Sequence, residues 1–496
     1  MTRTVVVGLD GANYELLEPW IEAGDLPTLA RIVNQGVTGD LRSVLPPVTS
    51  PNWKAYATGK NPGKLGVFWW QNVDVKNRRV HRPTERYHDN VEYWELLAER
   101  ERVGVVNVPT TYPPKSTGEF LIAGPPDGRN RGYTHPPELE SELRNGFGYR
   151  VTKQRVAKDG DDEAYEEVLD LIDLRFAVAK YLMERHDLSF LQVTTFYINL
   201  LHHHLWDAPY TKRGWEIIDR HLASFLDDGY NLVLMSDHGH AEIETVFNVN
   251  VWLEQNGYLT YDAEVAETLH SVGITADRLK RLVSGMNQRL PGVELQDLVE
   301  QLTPQWVLNR LPDEKGELGG SKHEILDWDR SKAIGSAQGP IYLTVDPDSH
   351  EYEPLREALI AELSTLTGPD GRPIANAVYR SEDVYEGPYL DEAPDIVVDK
   401  AKHVNIREGF GSDHVFPDED PSWSGVNKRE GLFAAAGPAF GTGTIDGLSI
   451  LDLAPTLLHL HGCAVPDDMD GEVRHSVFAD GTEPATSEVR RRSVAD

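Results

Sequence analysis

Two apolar runs in the 496-residue chain end in residues able to bind a cation. The first, VVVGLDG, delivers Asp10 into a glycine-flanked turn, where backbone can approach a ligand closely. The second, NLVLMSDHGH, passes straight into Ser236, Asp237, His238 and Gly239. A carboxylate and an imidazole at one strand end can both reach a single divalent ion, and Gly239 permits the sharp turn that aims them. Between these runs lies PPVTSPNWKAYATGKNPGKLGVF, in which Thr49 and Ser50 offer hydroxyls and Pro51 precedes a predicted helix over 52–57. A hydroxyl beside a helix N-terminus meets free N–H groups and a dipole that favours an anion such as phosphate. A threonine so placed becomes a nucleophile if a metal lowers its alcohol pKa, and otherwise serves as a helix cap. In FYINLLHHHLWDAPY, a helix would put Asn199 and His203 at i and i+4 on one face, and His203 and Asp207 repeat that spacing. The three successive histidines point in different directions, so one or two of them could serve one metal. Further on, His414 sits in the polar loop GFGSDHVF, a placement that suits either an exposed ligand or an ordinary surface histidine.

These residues need a frame that gathers them. Short apolar runs at 5–9, 103–108, 190–194, 232–235, 341–345, 396–398 and 432–436 read as strands, several of them followed by helical patterns. That alternation predicts an α/β fold on a mostly parallel central sheet, whose ligands gather at the carboxyl ends of the strands. The stretch 251–332 is charged, helix-rich and poor in strand signals, and reads as a helical insertion or cap between core segments 1–250 and 333–480. Residues 481–496 carry no apolar period and read as a flexible tail.

Acidic residues outnumber basic ones 80 to 48, for a formal charge of -32. Such a surface repels nucleic-acid polymers and anionic membranes, so an anion could be met only in a local cationic or metal-filled pocket. Acidity spread along the chain, with arginine favoured over lysine, suits a halophilic source in which salt screens self-repulsion. No segment approaches 18 uninterrupted apolar residues, and the start of the chain enters a strand pattern without a leader signal, which leads to the expectation of a cytoplasmic protein. The single cysteine, Cys463, lies in the apolar run LLHLHGCAV and reads as a buried small hydrophobe.

Taken in order, GLDG, the PPVTSPNW segment, MSDHG, DWDRSKAIG to IYL, APDIVV and LDLAPTLLHLHGCAVPDDMDG resemble the alkaline phosphatase superfamily, and within it the type I phosphodiesterase/nucleotide pyrophosphatase family. The resemblance implies a three-layer fold with two divalent ions, Zn²⁺ or Mn²⁺, that clamp the attacking and leaving oxygens of an in-line displacement. By matching motifs, Asp10, Thr49, Asp237 and His238 would hold one ion, with Thr49 also the nucleophile that becomes a phosphothreonine. Asn199, His203 and a downstream histidine, taken as His414, would hold the other. The family normally has aspartate where this chain has Asn199, so Asp207 is an alternative, as Asn427 is for His414. Asn52 is expected to donate to a non-bridging oxygen or to act only as a cap, and Trp53, Trp69 and Trp70 to stack on a base or to sit in the core. The implied substrate is a small anionic phosphoester, most simply a diester or pyrophosphate. Other activities of the superfamily on the same scaffold are phosphomonoesterase, phosphonate hydrolase and a mutase using Ser50. Sulfatase lacks its C-x-P-x-R pattern here, and a degenerate ligand-binding protein is the non-enzymatic alternative.

Overall fold

In the computed structural model, the described residues are 3–155, 161–261, 326–410, 412–418 and 423–493. All seven predicted strands form, at Thr4–Leu9, Val103–Val106, Phe190–Thr195, Asn231–Met235, Pro340–Leu343, Ile396–Lys400 and Glu430–Ala436. Five of them enter one ten-stranded sheet. At its centre Thr4–Leu9 pairs in parallel with Asn231–Met235 on one side and Phe190–Thr195 on the other, and Val103–Val106 continues the parallel run. Both faces of these strands are buried, which explains why they read as continuous apolar runs without alternation. Glu430–Ala436 enters antiparallel, between Asn231–Met235 and Val37–Arg42.

The remaining two strands do not join this sheet. Pro340–Leu343 and Ile396–Lys400 combine with Ala333–Gly335 and Ala375–Arg380 into a separate antiparallel sheet of four strands, with its own apolar core around Ile334, Ile341, Leu359 and Ile396. The segment expected to be the second part of one α/β core therefore divides, and only its later residues return to the main sheet. A local apolar run specifies a strand but not its sheet, because the partner is set by contacts distant in sequence.

The predicted helical insertion lies, over 262–325, outside the described residues. Its flanks meet in a bridge between Tyr261 and Leu326. The predicted loose tail is tied down through residue 492: Arg491–Arg492 pairs in parallel with Val465–Pro466, and the Arg492 guanidinium lies 3.1 Å from Glu99. Cys463 is buried, as its apolar neighbours implied. No helix among the described residues is long and apolar enough to cross a membrane.

Candidate metal centre

Strand register brings the first residues together. Gly8 pairs with Met235, so Asp10 and Asp237, each two residues further on, leave the sheet at the same level. Gly11 then turns with φ +73°, in the left-handed region that glycine tolerates, and its N–H donates to Asp237 Oδ1 at 3.1 Å. Asp10, Asp237 and His238 are wholly buried, and a ligand atom from each lies within 4.8 Å of the others. His238 Nε2 is 3.3 Å from Asp237 Oδ2, 3.7 Å from Asp10 Oδ1 and 3.3 Å from Thr49 Oγ1.

Thr49 is the first residue of the helix Thr49–Thr58, which starts three residues earlier than the proline-based reading and is buried along its whole length. A buried helix supplies a fixed platform, and its N-terminal end favours negative charge at the hydroxyl. Ser50 turns elsewhere, with its Oγ 2.9 Å from the Tyr87 hydroxyl. The proposed phosphate carrier Ser50 is thus held away from His238, and Thr49 is the hydroxyl that faces it.

Two neighbours on this helix have other work than the sequence suggested. Asn52 Oδ1 accepts from the Val44 N–H at 2.8 Å, and its amide nitrogen donates to the carbonyls of Val48 and Pro46 at 2.9 and 3.0 Å. Both ends of the amide are occupied in holding the loop before Thr49, so Asn52 fixes the approach to Thr49 and has no hydrogen left for a non-bridging oxygen. Trp53 is fully buried, and its indole N–H donates to Asp10 Oδ2 at 2.9 Å. Its ring passes where a side chain on Gly8 would stand, 2.5 Å from that Cβ position. Of the two readings, stacking platform or core, Trp53 takes the core one, and there it orients Asp10. Trp69 is likewise buried, against Val48 and Ala337, with Trp70 packed beside them.

The electrostatics of the cluster call for a cation. Burial, reinforced by the charge of Asp237, pushes the Asp10 carboxyl well above its usual range, and burial raises Asp237 as well. Burial pushes the His238 imidazole down, toward its neutral form. His238 Nδ1 faces the Gly239 carbonyl at 3.1 Å, which assigns the ring proton to Nδ1 and leaves the Nε2 lone pair directed at the carboxylates and Thr49. Asp10 Oδ1 and Asp237 Oδ2 are buried and have no hydrogen-bond partner among the described residues. Two buried carboxylate oxygens, a bare imidazole nitrogen and a hydroxyl form a donor set that fits a divalent ion.

A second group adjoins the first. Asn199 and His203 lie on the helix Tyr197–His204, both buried, at the i and i+4 spacing read from the sequence. The neighbouring His202 points into the core, where its Nε2 accepts from the Trp215 indole N–H at 3.0 Å and its ring stacks on that indole. Asp207 does not take part: the helix stops at His204, so the four-residue repeat fails, and Asp207 is exposed. His414 is also exposed, and its backbone N–H and carbonyl bond to Ser412 and Asn248. The downstream residue that reaches the cluster is Asn427, whose amide nitrogen is 3.3 Å from His238 Nε2 and donates to the Pro47 carbonyl at 2.9 Å. It arrives because Gly425–Lys428 pairs antiparallel with Gly239–Glu242, a match between segments nearly two hundred residues apart.

That pairing also places a residue the sequence reading passed over. His240, opposite Asn427, is fully buried, with its ring centroid 5.2 Å from that of His238 and 4.5 Å from that of His203. Its signal was present in the D-H-G-H spacing, since residues i and i+2 of an extended segment share a face.

Comparison with known proteins places the fold and the family. The family model for type I phosphodiesterase/nucleotide pyrophosphatase matches residues 4–424. Phosphonoacetate hydrolase from Sinorhizobium meliloti 1021, solved with phosphonoacetate, superposes with a TM-score of 0.58 at 16% identity, covering 93% of this chain and 95% of that one. Human ectonucleotide pyrophosphatase/phosphodiesterase 5 gives a TM-score of 0.50 at 14% identity over 94% and 96% of the two chains. An inactive threonine-to-alanine variant of the murine form, in complex with AMP, gives 0.51 at 12% identity over 97% and 100%. A central mostly parallel sheet with polar residues gathered at its carboxyl edge, and a family match over most of its length, place this chain in the type I phosphodiesterase/nucleotide pyrophosphatase family of the alkaline phosphatase superfamily, a family of phosphoester hydrolases.

Proposed function

We propose that the protein is a metal-dependent phosphodiesterase or pyrophosphatase-type hydrolase that uses Thr49 as its nucleophile. The observation that carries this reading is the meeting of Thr49 Oγ1 with Asp10, Asp237 and His238 in one buried cluster at a helix N-terminus. Asp10, Thr49, Asp237 and His238 would hold one divalent ion, and Asn199 and His203 belong to a second. His414 lies exposed, so the third donor of that second set is sought elsewhere below. Bound Zn²⁺ or Mn²⁺ would supply the positive charge that lowers the hydroxyl pKa and offsets charge on the attacking and leaving oxygens.

Thr49 Oγ1 forms a bond to phosphorus as the bond to the departing alkoxide or phosphate breaks, and the hydroxyl proton goes in net terms to the leaving group. Water then cleaves the phosphothreonine, returning a hydrogen to Oγ1 and a hydroxyl to phosphorus. Two inversions give retention. Asn52 holds the 44–48 loop and Trp53 holds Asp10, so neither group has to reorganise as charge develops. The positive charge of the ions also explains how a chain of net charge -32 accepts an anion, since the field is reversed only inside the cleft. Phosphonoacetate and AMP in the similar structures support a small organophosphorus anion as the ligand class.

The test is turnover of a p-nitrophenyl diester, a p-nitrophenyl monoester, a nucleotide pyrophosphate and phosphonoacetate by wild type and Thr49→Ala, each loaded with Zn²⁺ or Mn²⁺. The diester or pyrophosphate should turn over fastest, and acid quenching should trap phosphate on the peptide holding Thr49. Undiminished turnover by Thr49→Ala would remove the threonine from the mechanism. A wild type inert on every ester would favour a ligand-binding scaffold.

A further inference from the structure

We propose that His240 is a metal ligand, and that the second cation-binding half-site is made of His203 Nε2, His240 Nε2 and Asn199 Oδ1. The inference rests on the metal-dependent reading above and names the donor that reading leaves open.

His240 Nδ1 lies 3.0 Å from the carbonyl oxygen of Gly11, and His203 Nδ1 lies 2.9 Å from that of Gly425. A carbonyl can only accept, so in each neutral ring the single N–H is at Nδ1, and Nε2 carries a lone pair. The two Nε2 atoms are 3.4 Å apart. Two lone pairs facing each other at that distance repel unless a positive species lies between or beside them. An N–H held on a backbone carbonyl, with the other ring nitrogen turned to a common point, is the arrangement that orients metal-binding histidines. His238 shows the same device on the Gly239 carbonyl.

The third donor comes from the helix that carries His203. Asn199 Oδ1 is buried without a hydrogen-bond partner among the described residues. It lies 3.2 Å from the position a side chain on Gly11 would take, and the His240 ring is 2.3 Å from the same position. The amide oxygen and the imidazole thus flank one small space that only glycine leaves open. Asn427 is the competing donor. Its amide nitrogen donates to the Pro47 carbonyl and lies 3.3 Å from His238 Nε2, a donor of the first half-site. Its Oδ1 also lacks a partner among the described residues, so Asn427 is the necessary control. Two imidazoles and a neutral amide favour Zn²⁺ or Co²⁺ over Mg²⁺ or Mn²⁺.

The experiment loads the full chain with excess Zn²⁺ or Co²⁺, removes loose metal by gel filtration, and counts ions per chain. Wild type and Asn427→Ala should retain two, whereas His240→Ala and His203→Ala should retain one, with the Co²⁺ visible absorption falling in step. Circular dichroism checks each fold; if His240→Ala fails to fold, His240→Gln should weaken the second ion at least tenfold in a Co²⁺ titration. Two ions retained by a folded His240 variant, or one lost from Asn427→Ala, overturns the assignment. A wild type holding a single ion that Asp237→Asn abolishes overturns this half-site and leaves the first standing. A wild type that holds none overturns both.

Discussion

The two halves of the buried centre solve the same problem with opposite chemistry. Around Thr49 stand two carboxylates and one imidazole, whereas around His203 stand a second imidazole and an amide and, among the described residues, no carboxylate. When ionised, the first set brings two negative charges and the second none. At an effective dielectric near 20, a unit charge about 4 Å from a divalent ion contributes roughly 8 kcal/mol before desolvation, so the halves would differ greatly in how tightly they held a hard cation. They share only the orienting device of an imidazole N–H on a backbone carbonyl. On the proposed reading, charge would set affinity in one half and ring geometry would set selectivity in the other.

Substitutions separate the two halves. The largest effect is expected from Thr49→Ala, which removes the nucleophile while sparing most of the cation site: kcat should fall about 10⁴-fold or more with the first ion still bound, as metal analysis would show. Asp237→Asn should lower kcat/KM about 10³-fold and release the first ion but not the second, the reverse of His240→Ala. Loss of both ions from Asp237→Asn would mean that the halves do not bind independently. Asn199→Asp adds a charge to the neutral half, and should tighten its ion about 100-fold and raise its acceptance of Mn²⁺, read by competition titration. An unchanged second constant would place position 199 outside the ligand shell. The smallest change is Trp53→Phe, which keeps the core packing but deletes the bond to Asp10, and should weaken the first ion about tenfold.

How much of this was legible depended on how local each signal was. Asp10, Asp237 and His238 follow apolar strands directly, so strand-end logic located them, and the register from Gly8 to Met235 brings them level. Helical spacing put Asn199 and His203 on one face, and only the family resemblance made them candidate ligands. Asp207 failed because a helix stop after His204 overrode that spacing. Choosing between His414 and Asn427 required the pairing of Gly239–Glu242 with Gly425–Lys428, which no local pattern encodes. The same pairing draws His240 into place. For Asn52 and Trp53 the sequence left a ligand contact and a structural role both open, because their partners, the 44–48 loop and Asp10, are set by tertiary packing rather than sequence neighbourhood. The strands at 340–343 and 396–400 were found as strands but belong to another sheet for the same reason.

Gly11 belongs to both halves at once. Its N–H grips Asp237 and its carbonyl grips the His240 ring, with one α-carbon between them. The interval between the halves is thereby gauged by covalent bond lengths and angles, which yield far less than side-chain packing does. Swelling of the core, a shift of the sheet or a change of salt would carry both jaws together, and their gap could change only by stretching two hydrogen bonds. The residue behaves as the pivot block of a caliper, holding its opening constant while the rest of the molecule moves.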